Sequence, residues 1–193
     1  MRASVRPLAS RAVSLLLLAA LLGWSGFAGA DPVRYRIQPE ASEVTFKATS
    51  RLMNADGRFG RMSGEVTVEG ENPATARISV TVEAASIDTG IGMRDNHLRS
   101  EDFFEVKRFP AIAFESSRVE VAGKRAVVFG RLSIHGVTRE VTIPVEVALS
   151  PAALVASGEF VVDRRECGLT YQSYLNPIGN EVRVAFTFRA RTP

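Results

Sequence analysis

Val182-Arg183-Val184-Ala185-Phe186-Thr187-Phe188-Arg189 decides the fold of this chain. In an extended strand successive side chains point to opposite faces, so Val182, Val184, Phe186 and Phe188 share one side. Arg183, Ala185, Thr187 and Arg189 take the other. A helical turn of 3.6 residues would scatter the same four apolar groups, so the segment reads as a strand with one buried face.

The same period recurs along the chain. Val44, Phe46 and Ala48 alternate with Thr45 and Lys47, and Val66 and Val68 stand between Glu65, Thr67 and Glu69. Ile78, Val80 and Val82 alternate with Arg77, Ser79, Thr81 and Glu83, and Val141, Ile143, Val145 and Val147 with Thr142, Pro144, Glu146 and Ala148. Less regular strands are expected over Tyr35–Gln38, Ala111–Val121, Arg125–Ile134 and Leu154–Val162. Turn chemistry separates them: Asp56-Gly57, Gly70 to Pro73, Ala122 to Lys124, His135-Gly136, Ser150-Pro151 and Asn176 to Asn180.

Short connections make neighbours antiparallel. About eight strands, each apolar on one face, would leave exposed edges as an open sheet, and closure removes them. The expected fold is therefore all-β, an extended antiparallel barrel of about eight strands. Pro144 has no N–H to give a ladder, so a bulge or gap in the wall is expected there.

One stretch breaks the pattern. Met93 to Phe104 has helical composition, with Asp95 four residues before Arg99 in the favourable order for a helical ion pair. Phe103 and Phe104 give it side chains to bury, and Pro110 marks the return to strand. This insert is expected to cap or flank one barrel opening.

Eight strands stand at the boundary between a filled barrel and one that holds a ligand. The inward set is rich in Val and Ile and lacks Trp, and several strands exceed the usual five or six residues. Both favour a cavity, with a filled barrel as the alternative. The expected lumen is Val44, Phe46, Val66, Val68, Ile78, Val80, Val82, Phe104, Phe114, Leu132, Val141, Ile143, Val145, Val184 and Phe186.

Residues 1–30 read as an export leader: Arg2, Arg6 and Arg11, then the apolar run Ser14–Leu22, then Ala28-Gly29-Ala30 before Asp31. The run is short for a membrane span. The expected mature chain, 31–193, is one domain that is exported and not stably anchored. The full chain has 24 Lys and Arg against 21 Asp and Glu, and the leader holds three Arg and no acid, so the remainder is formally neutral. That removes the compositional case for a nucleic-acid partner.

Cys167 is the only cysteine, so no disulfide forms within the chain, and it is expected to fill space in the core. His97 and His135 are the two histidines, and neither belongs to a metal-ligand motif, so no metal is expected. No G-x-S-x-G elbow or phosphate-cradling glycine loop is present. The carboxylates Asp88, Asp95, Glu101, Asp102 and Glu105 read as a solvated face, and no catalytic residue is assigned. His135 reads as a turn residue.

Ser86–Gly90 (SIDTG), Arg94–Ser116 (RDNHLRSEDFFEVKRFPAIAFES) and Leu132–Val147 (LSIHGVTREVTIPVEV) resemble the YceI-like, polyisoprenoid-binding family. The resemblance runs from Val33 to Arg191. It implies a lipocalin-like barrel, secreted to the bacterial periplasm, around a long isoprenoid or similar lipid. Many relatives carry a His soon after the first long strand, where this chain has Phe46 to Arg51, so no role for that His transfers.

The expected function is binding or carriage of a long-tailed amphiphile, such as an isoprenoid quinone or polyprenyl lipid, with no other cofactor. Arg94 and His97 are the candidates for the ligand's head group. Two rivals stand beside this: a barrel enzyme acting on a lipid, and a filled barrel serving as an interaction module. A homodimer is left open.

Overall fold

The computed structural model describes residues 31–70 and 72–193. The expected leader lies outside them. Eleven strands form one sheet: β1 (Val33–Ile37), β2 (Glu43–Ser50), β3 (Ala55–Phe59), β4 (Met62–Val68), β5 (Arg77–Glu83), β6 (Ile87–Asp88), β7 (Ala111–Ala122), β8 (Arg125–Ile134), β9 (Val137–Leu149), β10 (Ala153–Asp163) and β11 (Ile178–Arg191). Among the described residues one α-helix, α1 (Gly92–Arg99), interrupts them.

Eleven strands reduce to eight. β1 and β2 both pair with β11, β3 and β4 continue one another across Gly60-Arg61, and β5 runs into β6 through the 3-10 turn Ala84–Ser86. Joined this way, each long strand pairs antiparallel with the next in sequence, and β11 closes on β1 and β2. The result is an eight-stranded up-and-down barrel whose first three staves are each kinked once. Closure pairs the long edges except where β9 and β10 part.

The alternating phases hold. Inward residues such as Val80, Val82, Val128, Ile143 and Leu154 are buried. Outward positions carry ion pairs between strands, including Arg131–Glu115, Arg58–Asp88 and Arg183–Glu159. Exposed pairs of this kind contribute about 0–1 kcal/mol each, so the stability resides in the apolar face.

Three large rings leave the lumen open because a glycine stands beneath each. Phe46 faces Gly57 directly across β2–β3, and Phe186 faces Gly158 across β10–β11. A Cβ built on Gly57 would stand 2.6 Å from Phe46 Cζ, on Gly130 2.7 Å from Phe114 Cζ, and on Gly158 2.8 Å from Phe186 Cζ. Each ring lies against the wall in space that a side chain would fill. Gly158→Ala would also meet the Pro144 carbonyl at 2.6 Å, and is expected to cost about 1–3 kcal/mol. Gly60→Ala, whose nearest atom is 3.7 Å away, serves as the control. Urea midpoints of the two variants check this, with the Gly60 variant close to wild type.

Three expectations are corrected. Asp56-Gly57 is strand, not turn: the chain reverses at Arg51–Asn54, and Gly57 is needed beneath Phe46. Ile178-Gly179-Asn180 belongs to β11, with a register shift between Ile178 and Val182. The Asp95–Arg99 ion pair does not form among the described residues. Asp95 is buried and accepts from Thr89 N at 2.9 Å, while Arg99 Nε donates to Ala85 O at 2.8 Å. Both charged groups satisfy backbone that the kinked third stave leaves unpaired.

The gap expected at Pro144 is present. β9 pairs with β10 only from Val145 to Leu149, so Val137–Pro144 is laddered to β8 alone. The segment following β10 covers the split: Arg139 Nε donates to Glu166 O at 3.0 Å, and Gly168 packs on His135 and Val137.

Candidate ligand-binding cavity

The barrel encloses a cavity of about 510 Å³. That lies within the range of sites that take small molecules. Of the fifteen expected lumen residues, every one but Val141 lines it. Val141 has the inward phase but packs into the cluster around Val128 and Ile143, beside the split wall.

The cavity is chemically polarised along its length. Its sides are aliphatic and phenyl groups such as Val44, Val80, Ile143 and Phe186. Polar lining residues gather at one end: Ser50 on β2, Arg94 and His97 on α1, and Arg164, Tyr171, Ser173 and Asn176 on the connection between β10 and β11. Met53, 62% exposed, and His97, half exposed, also line the cavity there, so this end is the mouth.

At the mouth, α1 is a short helix with Ile91 as a non-capping N-terminal residue and His97 and Arg99 in its last turn, where the Arg99 charge is stabilised by the negative end of the helix dipole. His97 Nε2 lies 3.0 Å from Asp102 Oδ2, and its ring meets Phe103 and Tyr171 edge-on at 5.1 and 5.0 Å. This aromatic trio forms part of the wall at the mouth. Arg94 is more constrained: Nε donates to Thr89 Oγ1 at 2.8 Å, Nη2 to Thr89 O at 3.1 Å and Nη1 to Asn54 O at 3.2 Å. It ties the helix to the β2–β3 turn before it can reach anything else.

Arg164 was not anticipated. Its side chain is buried, and burial lowers its pKa from the ordinary guanidinium value. All five N–H donors are used, on the carbonyls of Gly179, Leu169, Tyr171 and Ile178 and on Gln172 Oε1, at 2.6 to 3.1 Å. One guanidinium thus organises the whole segment that covers the split wall. The planar fork can do this and a lysine cannot. No spacing rule in the sequence Asp163-Arg164-Arg165-Glu166 distinguishes it from its exposed neighbour Arg165.

Cys167 sits in that segment, 3% exposed and lining the cavity, and burial pushes its thiol pKa up. It is held as the thiol at neutral pH. Native protein is expected to resist a thiol-reactive disulfide reagent, with one equivalent reacting after denaturation. Rapid native labelling would contradict that placement. His135 lies in its expected turn, with φ of +50° followed by Gly136 at +75°. Its Nε2 is buried 3.7 Å from Glu105 Oε2, and the residue does not line the cavity. Among the described residues no three His, Cys, Asp or Glu side chains group as a metal site.

A family model for the YceI-like domain matches residues 35–190. The chain belongs to the YceI-like family. Within it, the chain is 41% identical over 87 residues to a UPF0312 protein of Pseudomonas aeruginosa strain LESB58, covering 45% of this chain and 46% of that one. It is 39% identical over 90 residues to a UPF0312 protein of Photorhabdus laumondii, covering 47% of each. The aligned part spans about half the length of these curated relatives. Among solved structures, Burkholderia cenocepacia BcnA superposes with a TM-score of 0.73 at 25% identity, covering 79% of this chain and 98% of that one. A polyisoprenoid binding domain from Saccharophagus degradans superposes with a TM-score of 0.67 at 18% identity, covering 83% and 99%. The likeness to the second is one of fold. The family's barrel is the one described above, with the lumen in place.

Proposed function

We propose that this YceI-like barrel binds and carries an amphiphile with a long apolar tail, of the isoprenoid or a similar class, tail inward and polar end at the mouth. The observation that carries this reading is the polarised cavity: apolar along its walls and polar only around Arg94, His97, Tyr171 and Ser173. Burying a CH₂ contributes about 0.8 kcal/mol. Ordering a flexible tail opposes this, so affinity rises with tail length and levels off once the lumen is full.

The polar groups near the lumen do not favour the enzyme reading. The lumen walls are apolar, and Arg164 at the mouth has no donor left. The similarity to a polyisoprenoid binding domain supports the tail class. Titrating delipidated protein with a homologous series of amphiphiles tests the proposal. The expected result is saturable binding that tightens with chain length to a plateau. Absence of saturable binding would favour a filled barrel.

The proposal places the carrier outside the cytoplasm, in the periplasm or secreted, on the strength of the leader-like residues 1–30. N-terminal sequencing of exported protein is expected to begin at Asp31, and an intact leader would contradict it.

A further inference from the structure

Eight large hydrophobic side chains stand out as exposed among the described residues, and six of them ring the mouth. They come in pairs from three short segments: Leu52 and Met53 from the β2–β3 turn, Ile91 and Met93 from the start of α1, and Tyr174 and Leu175 from the loop before β11. Their exposures run from 43% at Ile91 to 96% at Tyr174. The other two, Val155 and Val161, lie on the outer face of β10.

Hydrogen bonds hold the three segments together. Leu52 N donates to Asn176 Oδ1 at 2.8 Å, Arg51 N to Pro177 O at 3.2 Å, and Arg94 Nη1 to Asn54 O at 3.2 Å. Met53 is both rim and lumen wall, so the exposed apolar surface runs without a break into the cavity. Across residues 51–54, 90–93 and 173–177 the only charged residue is Arg51.

We propose that this rim is a membrane-docking surface, which sets the barrel mouth-down on a bilayer containing anionic lipid. The inference rests on the carrier reading, because it supplies the route by which a tail enters. Contiguous exposed apolar surface marks an interaction site. Its occupant here must be one that a tail can cross. A protein seated on the rim would close the opening, whereas the bilayer interior continues the lumen as a single apolar path. Six side chains spread over three turns present no groove to a folded partner, but can each enter a fluid interface. Tyr174 suits the headgroup level, where amphipathic rings collect. The three apolar segments carry Arg51 and no acid, while Asp102 at the mouth sits 3.0 Å from His97 Nε2, and the unopposed basic residue suits an anionic surface. Among the described residues no helix is long and apolar enough to cross a membrane, so attachment by this surface would be peripheral and reversible.

Flotation of delipidated protein with vesicles of phosphatidylcholine and phosphatidylglycerol tests the docking. Wild type is expected to float with the vesicles. The combined variant Leu52→Ser, Met93→Ser, Leu175→Ser is expected to lose about tenfold or more in partitioning. None of these three lines the lumen. The control Val155→Ser, Val161→Ser should float like wild type. The proposal is overturned if wild type stays in solution, or if the control loses as much as the rim variant. It is also overturned if wild type is a dimer that the rim variant separates, since the surface would then join two copies. The amphiphile titration in vesicle-free buffer is read in parallel on all three proteins. Flotation without titration leaves the rim standing and the carrier reading refuted, and titration without flotation does the reverse.

Discussion

Phe186→Asp is expected to empty the barrel, and Thr187→Asp is not. Phe186 lines the lumen, flat on Gly158 and stacked with Phe188 at a 5.0 Å ring separation. A carboxylate there would face an apolar cavity with no counter-charge and be driven to take up a proton, and even the neutral acid without a partner costs several kcal/mol (~2–7) in stability or in ligand held. Thr187 has the opposite phase, paired with Ser157 and Glu43 on the outer face. Its replacement is expected to cost about 1 kcal/mol or less. Thermal melts and the lipid retained on purification read out both variants. An empty barrel for Thr187→Asp beside a loaded one for Phe186→Asp would put β11 out of phase.

Arg164→Met is expected to have the second largest effect. It strands the carbonyls of Gly179, Leu169, Tyr171 and Ile178 that the guanidinium now satisfies, in a segment that covers the split between β9 and β10. Buried unsatisfied groups cost about 1–3 kcal/mol each, part of which water recovers once the segment loosens, so a loss of about 3 kcal/mol is the expected scale. Cys167 reports the local effect. In the variant it should react with a thiol reagent under native conditions, faster than the global unfolding rate. A variant that keeps Cys167 protected and its melting point unchanged would show that the five hydrogen bonds do not hold the cover. Arg164→Lys should resemble the Met variant, because an ammonium has three donors where the fork has five.

Alternation carried most of the barrel from sequence. The strands around Val44, Val80, Val145 and Phe186 keep their phases because one buried face fixes register. What failed to be legible has a common cause: residues whose role is set by a neighbour distant in sequence. Asp56-Gly57 has the composition of a turn, yet Gly57 is required by the Phe46 ring across the ladder. The alternation of Ala55, Gly57 and Phe59 with Asp56 and Arg58 was the available signal. Asp95 and Arg99 fit a helical ion pair by spacing, but the broken third stave offers them unpaired backbone at Thr89 and Ala85. Val141 has the right phase beside a wall that opens there, so phase alone could not put it on the cavity. Arg164 is invisible to pattern because its five partners lie up to 15 residues away along an irregular segment.

The central claim is that the lumen holds an amphiphile, and organic extraction of natively purified protein tests it most directly. Protein from its own host, kept free of detergent, should yield about one equivalent of a long-tailed lipid per chain by mass spectrometry, and Phe186→Asp should yield none. A filled or empty barrel, giving no stoichiometric lipid from wild type under those conditions, would contradict the account.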